Sequence, residues 1–206
     1  MARASRISAS ILAAVAMALL GAAPASAQFS PGFKFLEAVR KKDGDAVVEA
    51  LRVPGSTIVN SRDLTTGETA LHIVTQRRDL AWLQYLLAQG ANPNARDARG
   101  VTPLVVATQN GFIEGAQTLV DKGAWVDVPN ATGETPLIAA VHRGDIPMIR
   151  LLLRAGADPD RADSSGRSAR DYAQLQGPGS SLLSEIEKNE KPESEREGAV
   201  TYGPSM

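Results

Sequence analysis

The chain has 206 residues, of which 43% are hydrophobic and 4% are aromatic, so we expect one domain with a core of aliphatic side chains. It contains no cysteine, which excludes disulfide frameworks, thiolate metal sites and cysteine nucleophiles. A formal net charge of −1 argues against general affinity for nucleic acid, which requires a basic face.

The N-terminal segment has the composition of an export signal. Two arginines precede an apolar run at residues 11–23, and residues 25–27 supply the small side chains found at cleavage positions. The run is shorter than the roughly 20 residues of a membrane-spanning helix. We therefore expect a signal peptide at residues 1–27, cleaved between Ala27 and Gln28, and no stable membrane insertion afterwards. The alanine-rich run is typical of bacterial export, so a periplasmic or secreted location is expected.

A short extension at residues 28–32 leads into a region of internal repeats. A glycine recurs every 33 residues, and a hydroxyl-bearing residue follows it two positions later. The glycines are Gly67, Gly100, Gly133 and Gly166, and the hydroxyl-bearing residues are Thr69, Thr102, Thr135 and Ser168. A period held over four units indicates supersecondary units that bury their apolar faces against one another.

Each unit predicts two helices joined by a tight turn. The hydroxyl-bearing residue can accept a hydrogen bond from the first turn of the first helix. Gly111 and Gly144 are placed to end that helix in the left-handed conformation. Lys42 and Arg78 stand at the same place in the first two units, where we expect strain. The second helices are predicted at residues 80–88, 113–121 and 146–154, each ending near a Gly-Ala pair.

Three short words recur in phase: Gly67-Glu-Thr-Ala-Leu-His72, Gly100-Val-Thr-Pro-Leu-Val105 and Gly133-Glu-Thr-Pro-Leu-Ile138. Together with the end of each unit, such as residues 151–160, they resemble the ankyrin repeat. The resemblance implies an all-α solenoid of helix-turn-helix units joined by hairpin-like loops, with a histidine–threonine contact in the one unit that has His72. The ankyrin-repeat domain would span residues 33–190, with an N-terminal cap at 33–65, full repeats at 66–98, 99–131 and 132–164, and a C-terminal cap at 165–190.

The segment at residues 191–206 is rich in charge and poor in apolar side chains. A segment of this composition buries too little apolar surface to fold, so we predict a disordered, solvating tail. A last short helix is predicted before it, at residues 182–188.

The sequence contains no recognisable catalytic motif. It has no nucleophile elbow, phosphate-binding loop or zincin motif. His72 and His142 lie two repeats apart, about 20 Å in a stack of packed helices, which is too far to share a metal or to form an acid–base pair. Asp158, Asp160 and Asp163 lack the glycine and the distal glutamate of a calcium loop, so we expect them to stabilise turns. We therefore expect no enzyme activity, no metal and no cofactor.

The resemblance also implies a concave surface, formed by the hairpin tips and the exposed side of each first helix. Candidate partner-binding residues on it are Glu68, Gln76, Arg77, Arg99, Val101, Gln109, Asn110, Glu134, His142, Arg143 and Arg167. Arg77, Asn110 and Arg143 align in neighbouring units as a stripe of donors, which would suit an acidic or carbonyl-rich partner segment. Trp125 is a further candidate, whose loop position allows either a partner contact or packing against the neighbouring hairpin.

These expectations favour a non-catalytic protein–protein interaction module or scaffold in an exported compartment. It would bind a protein partner of unknown identity through the concave face, as a monomer. The resemblance also permits a protective or stress-related factor of the periplasm. A small enzyme or metal-binding protein on the solenoid is the less favoured alternative, because it would need His, Asp or Glu clustered on one face.

Overall fold

The computed structural model describes residues 30–53, 56–177 and 180–196. Within them the chain forms ten α-helices, and its only β-type pairing is an isolated bridge between Arg62 and Thr69. None of these helices is long and apolar enough to cross a membrane. The predicted all-α fold is therefore confirmed, whereas the predicted signal peptide and its cleavage site lie outside the described residues.

The helices form five consecutive pairs, which we call units 1 to 5. Their bounds are α1 Pro31–Lys41 and α2 Gly44–Leu51; α3 Ala70–Gln76 and α4 Leu80–Ala88; α5 Pro103–Gln109 and α6 Ile113–Asp121; α7 Pro136–Arg143 and α8 Ile146–Arg154; α9 Ala169–Gln174 and α10 Ser181–Asn189. Short 3-10 turns lie at Ile58–Asn60 and Glu193–Glu195. The three second helices predicted from the period begin and end where the sequence placed them.

Side-chain caps decide where most of these helices begin. The Thr135 hydroxyl accepts a hydrogen bond from the backbone N–H of Ile138 at 3.2 Å, and satisfies a donor that has no partner within the helix. Thr102 does the same at the start of α5. Three second helices begin instead at an aspartate, whose carboxylate accepts from the first turn; these are Asp43, Asp79 and Asp145.

The turn between the paired helices requires a left-handed residue in each of the first four units. Gly111 and Gly144 adopt it with φ of 60° and 65°. Lys42 and Arg78 adopt it with φ of 59° and 57°, where a Cβ is unfavourable by about 1–2 kcal/mol. The strain expected at these two side chains is therefore present.

The core is a continuous column of aliphatic side chains between the helices. Leu71, Leu104 and Leu137 recur every 33 residues in the first helices and are at most 1% exposed. Residues of the second helices, such as Leu119 and Leu152, are equally buried and meet them across each unit. Because each leucine also touches the next unit, burial in one unit depends on its neighbours.

Backbone hydrogen bonds join the hairpin tips of neighbouring units. Ala98 N–H donates to the Thr66 carbonyl at 2.9 Å, and Ala131 N–H donates to the Arg99 carbonyl at 2.9 Å. Ser164 N–H donates to the Thr132 carbonyl at 3.0 Å. One such bond therefore closes each junction between units 2, 3, 4 and 5.

A second set of bonds uses side chains from the loop that follows each second helix. Asn60 accepts from the backbone N–H of Asn92 at 2.7 Å and donates to the Gly90 carbonyl at 3.1 Å. Asn94 repeats this arrangement one unit later, on Trp125 and Gly123. Asp127 continues it by accepting from Asp158 N–H. The polar loops are thus held at a fixed spacing, in step with the core.

The repeating glycines sit where these tips approach most closely. Gly133 has φ of 80°, and a Cβ built there would lie 2.6 Å from the backbone nitrogen of Ser164 in the next unit. Gly67 is equally crowded, with 2.6 Å to the nitrogen of Ala98. Gly166 has a similar φ of 78° but nothing within 4 Å, because no further unit follows it. The period of 33 therefore records the stacking contact as well as the turn.

We predict that Gly133→Ala destabilises the protein more than Gly166→Ala does. Both substitutions place a Cβ at positive φ, which costs about 1–2 kcal/mol. Gly133→Ala also forces the tips of units 4 and 5 apart, which adds about 1–3 kcal/mol in the manner of an overpacked core. Urea unfolding of the two variants measures the difference, and equal midpoints would contradict the close contact.

His72 is a buried histidine held on both sides, and it is 2% exposed. Its Nδ1 accepts from the backbone N–H of Thr69 at 3.1 Å, and its Nε2 donates to the Val101 carbonyl at 3.0 Å. The expected contact with Thr69 is therefore present, and it is extended to the next unit. Burial lowers the pKa of His72 below its ordinary value of 6.5, so the imidazole is neutral in the fold.

We predict a pH dependence of stability that depends on His72. Because the pKa is lower in the folded state, the stability due to neutral His72 is complete above pH 6.5 and is lost as the pH falls towards the folded-state pKa. The slope reaches at most about 1.4 kcal/mol per pH unit. Urea unfolding between pH 7.5 and pH 5 measures it. His72→Asn should flatten the slope and His142→Asn should retain it; a steep slope in His72→Asn would refute this assignment.

Residues 191–196 correct the predicted start of the disordered tail. Arg196 has a side chain that is 14% exposed, and it lies within 3.1 Å of carboxylate oxygens of Asp158, Asp160 and Glu190. Composition alone pointed to disorder, but three specific carboxylates hold this arginine against the last two units. The remaining residues of the predicted tail, 197–206, lie outside the described part of the chain.

Candidate partner-binding surface

The hairpin tips and the first helices share one side of the stack. We call this side the inner face, and it comprises the tips at residues 64–68, 97–101, 130–134 and 163–167 with the exposed residues of α3, α5, α7 and α9. Tip and helix are in direct contact in unit 4, where Glu134 Oε1 lies 3.4 Å from His142 Nδ1. The face therefore presents side chains from loops and helices together on a rigid frame.

The most developed group on this face joins units 4 and 5 around Tyr172. The Tyr172 ring packs edge-to-face on the imidazole of His142, with centroids 4.4 Å apart. Its hydroxyl donates to Asp163 at 2.7 Å, and the Arg167 guanidinium lies 6.0 Å from the ring centroid. We call these residues, with Glu134, the tyrosine cluster.

Hydrogen bonding fixes the charge at the base of this cluster. The hydroxyl groups of Ser165 and Tyr172, then the backbone N–H groups of Arg167 and Ser165, hold the pKa of Asp163 well below its usual range. Asp163 is therefore ionised, and it orients the Tyr172 ring through a charge-assisted bond. His142 and Arg167, with exposed side chains on either side of that ring, can contact a partner.

Tyr172 was not among the residues predicted for this surface. It follows Ile73, Val106 and Ala139 at intervals of 33, at a position where the earlier units carry small or aliphatic side chains. The signal was therefore in the sequence, as an aromatic residue at an otherwise aliphatic repeat position. It was missed because the fifth unit was treated only as a cap.

Most of the predicted partner-binding residues do reach the surface. Arg99 has a side chain that is 78% exposed, and His142 has one that is 46% exposed. Gln76, Gln109, Arg143 and Arg167 are also exposed, while Glu68, Arg77, Asn110 and Glu134 are partly buried. Glu68 and Glu134 lie on tips of the inner face that are two units apart.

Val101 corrects the prediction of an exposed contact residue. It is 5% exposed and forms a small apolar cluster with Val105 and Val106. Its carbonyl also accepts the hydrogen bond from His72. The next unit covers this position, so Val101 belongs to the frame and does not reach a partner.

The predicted stripe of donors also has a structural role. Arg77 Nη1 donates to the Val39 carbonyl of unit 1 at 2.5 Å, and Arg143 Nη1 donates to the Gln109 carbonyl of unit 3 at 2.8 Å. Each guanidinium thus satisfies the end of a helix in the preceding unit. Charge reversal at Arg77 and Arg143 would consequently disturb the stacking, and it cannot report on partner binding alone.

Trp125 is exposed but lies apart from the tyrosine cluster. The residue is 46% exposed, and its backbone N–H donates to Asn94 of the preceding unit. It borders a separate groove whose lining includes none of the inner-face residues. The two alternatives for Trp125 therefore concern a different surface.

The acidic loop of unit 4 is engaged by arginines. Asp160 accepts from Arg170 at 2.7 Å and from Arg196 at 3.0 Å, and Asp158 accepts from Arg196 at 3.1 Å. Among the described residues, no group of three or more His, Asp or Glu side chains is arranged to hold a metal ion.

Comparison with protein-family models decides the family. A model of ankyrin repeats in three copies matches residues 35–130, and a single ankyrin-repeat model matches residues 132–164. The chain belongs to the ankyrin-repeat family. Ankyrin repeats are typically non-catalytic modules for protein–protein interaction. A search of curated proteins gave no match to this chain.

Proposed function

We propose that this ankyrin-repeat protein is a non-catalytic binding module that recognises a protein partner through its inner face, with the tyrosine cluster as the centre of contact. The observation that carries the proposal is the arrangement around Tyr172. An aromatic ring is locked by Asp163 and flanked by the exposed side chains of His142 and Arg167.

The physical case rests on preorganisation. Tyrosine and arginine are over-represented among the residues that dominate binding energy, because they offer large contact area and directional donors. A ring already fixed by a charge-assisted hydrogen bond and an edge-to-face contact loses little conformational freedom when a partner binds. Rigid stacking of units 4 and 5 through the Ser164–Thr132 bond maintains the spacing of the two sides of the cluster.

The charges of this face favour a partner segment with carboxylates or exposed carbonyls. Arg99 and Arg167 project outward from tips that are two units apart. Asp163, the carboxylate below the ring, is occupied by the hydroxyl groups of Tyr172 and Ser165. An extended acidic segment lying across the tips would meet guanidinium groups at both points, with the tyrosine cluster at one end.

We predict that the double variant His142→Ala/Arg167→Glu loses the partner while retaining the fold. Both side chains are exposed, so circular dichroism and the urea midpoint should change little. Loss of two central contacts should weaken capture at least about tenfold, which corresponds to 1.4 kcal/mol. Quantitative mass spectrometry of proteins retained on immobilised wild-type and variant protein measures this loss.

The matched control is Gln117→Ala/Arg154→Glu, which makes the same charge change on the second helices α6 and α8. Both of these side chains are exposed and lie away from the hairpin tips. Proteins that bind the wild type and this control, but not the inner-face variant, are the partners we propose. Equal retention by all three baits would remove the inner face as the binding surface.

We also propose that the protein acts in an exported compartment, the periplasm or the extracellular medium. The support is the sequence of residues 1–27, with its arginines, apolar run and Ala-Ser-Ala ending. The module would then meet its partner outside the cytoplasm.

For export, we predict that mass spectrometry of the protein recovered from the exported fraction finds an N-terminus at Gln28. Ala27→Leu should block processing, because a small residue is required at the cleavage position. Ala23→Leu, in the apolar run, is the control that should still be processed. A mature protein that retains Met1 would contradict the proposal.

A further inference from the structure

A groove on the loop side of the stack is built around Trp125. It encloses about 550 Å³, and we call it the indole groove. Its lining residues are Arg96, Trp125, Asp127, Val128, Pro129 and Arg161. It combines an exposed indole, two aliphatic side chains and two guanidinium groups in one concavity.

The charge at the mouth of this groove is positive. Arg96 Nη2 donates to the Pro129 carbonyl at 2.6 Å, which holds its guanidinium against the wall. The one carboxylate of the lining, Asp127, is 4% exposed, and its oxygens accept from the backbone N–H of Asp158 at 3.1 and 3.0 Å. A ligand that fits must therefore bring a carboxylate together with apolar or aromatic side chains.

Trp125 departs from the repeat in a way that creates the groove. Its sister residues stabilise their own loops, since Asn92 accepts from Asn94 N–H at 2.9 Å and Asp158 accepts from Asp160 N–H at 3.1 Å. An indole has no acceptor for such a bond. The third unit therefore has an aromatic surface where its neighbours have a turn-stabilising carboxamide or carboxylate.

The last described residue of the chain is held beside this groove. Arg196 binds Asp160, whose chain neighbour Arg161 lines the groove. It also binds Asp158, whose backbone N–H is bonded to Asp127 of the lining. Both anchoring carboxylates of Arg196 are thus one step from a groove residue.

We propose that residues 197–206 fold back into the indole groove as an intrachain ligand. The segment brings the chemistry that the groove requires: a carboxylate at Glu197, directly after the anchor, followed by Val200 and Tyr202. Ten extended residues reach roughly 33 Å, which is ample to follow a groove of this size. Glu197 pairs with Arg161, and the Tyr202 ring packs against the Trp125 indole.

This docking ties the C-terminus to unit 3, two units away from α10. It occupies the loop-side surface and leaves the inner face open, so it is independent of the proposed function. The failure of one does not bear on the other, because the two surfaces share no residue. The groove is the internal receptor of an acidic, aromatic segment.

Trp125 itself provides the test. The chain has two tryptophans, so Trp82→Phe leaves Trp125 as the sole source of tryptophan emission. In that background we predict that Tyr202→Ala and Glu197→Lys each shift the emission to the red. The acrylamide quenching constant should rise by about twofold as the indole becomes more accessible. Thr201→Ala and Glu195→Lys, neighbours of the two test positions, are the matched controls and should leave both quantities unchanged.

A chain ending at Arg196 completes the design. Its emission should match that of Tyr202→Ala, and a synthetic peptide of residues 197–206 added in trans should restore the protected spectrum. Identical quenching in the intact chain, the two test variants and the truncated chain would overturn the proposal. So would protection that disappears on dilution, because the occupant would then be the tail of a second copy.

Discussion

The hairpin tips of this protein come so close together that glycine is the only residue that fits between them. Gly67 and Gly133 each face the backbone of the following unit at a distance that would bring a Cβ to 2.6 Å. This approach allows the single backbone hydrogen bond between tips, and it sets the register in which the leucines of successive units meet. Core burial, loop spacing and the alignment of the inner face all follow from that one contact.

The candidate binding surface depends on the same register. Tyr172 belongs to unit 5, whereas His142 and Glu134 belong to unit 4, so the tyrosine cluster exists only when the two units are stacked. Asp163 contributes to both aspects: its carboxylate caps its own tip and accepts the Tyr172 hydroxyl. A residue that orders the loop therefore also orients the aromatic ring. The binding surface and the stability of the stack are coupled through it.

The sequence predicted most of the frame because the constraints on it are local and periodic. Glycine at positive φ, threonine at a helix start and leucine every 33 residues each leave a signal that needs no neighbour to interpret. Side chains that cross between units leave no such signal. Val101 was misplaced because the covering unit buries it, and Arg77 because its guanidinium reaches a carbonyl in unit 1. Arg196 was assigned to a disordered tail because composition does not show which carboxylates await it.

The two ends of the stack are not equivalent, and Gly166 shows why this matters. Its tip has the same left-handed glycine as the others, yet nothing lies within 4 Å of it. In a repeat protein such a vacant edge is a docking site for another molecule's first unit, and end-to-end addition would generate a filament. Nearby, Arg170 and Arg196 form a charged network with Asp160 and Glu190 in place of an apolar surface. Polymerisation would have to dehydrate those ions, so the same network that ends the fold also keeps its growth finite.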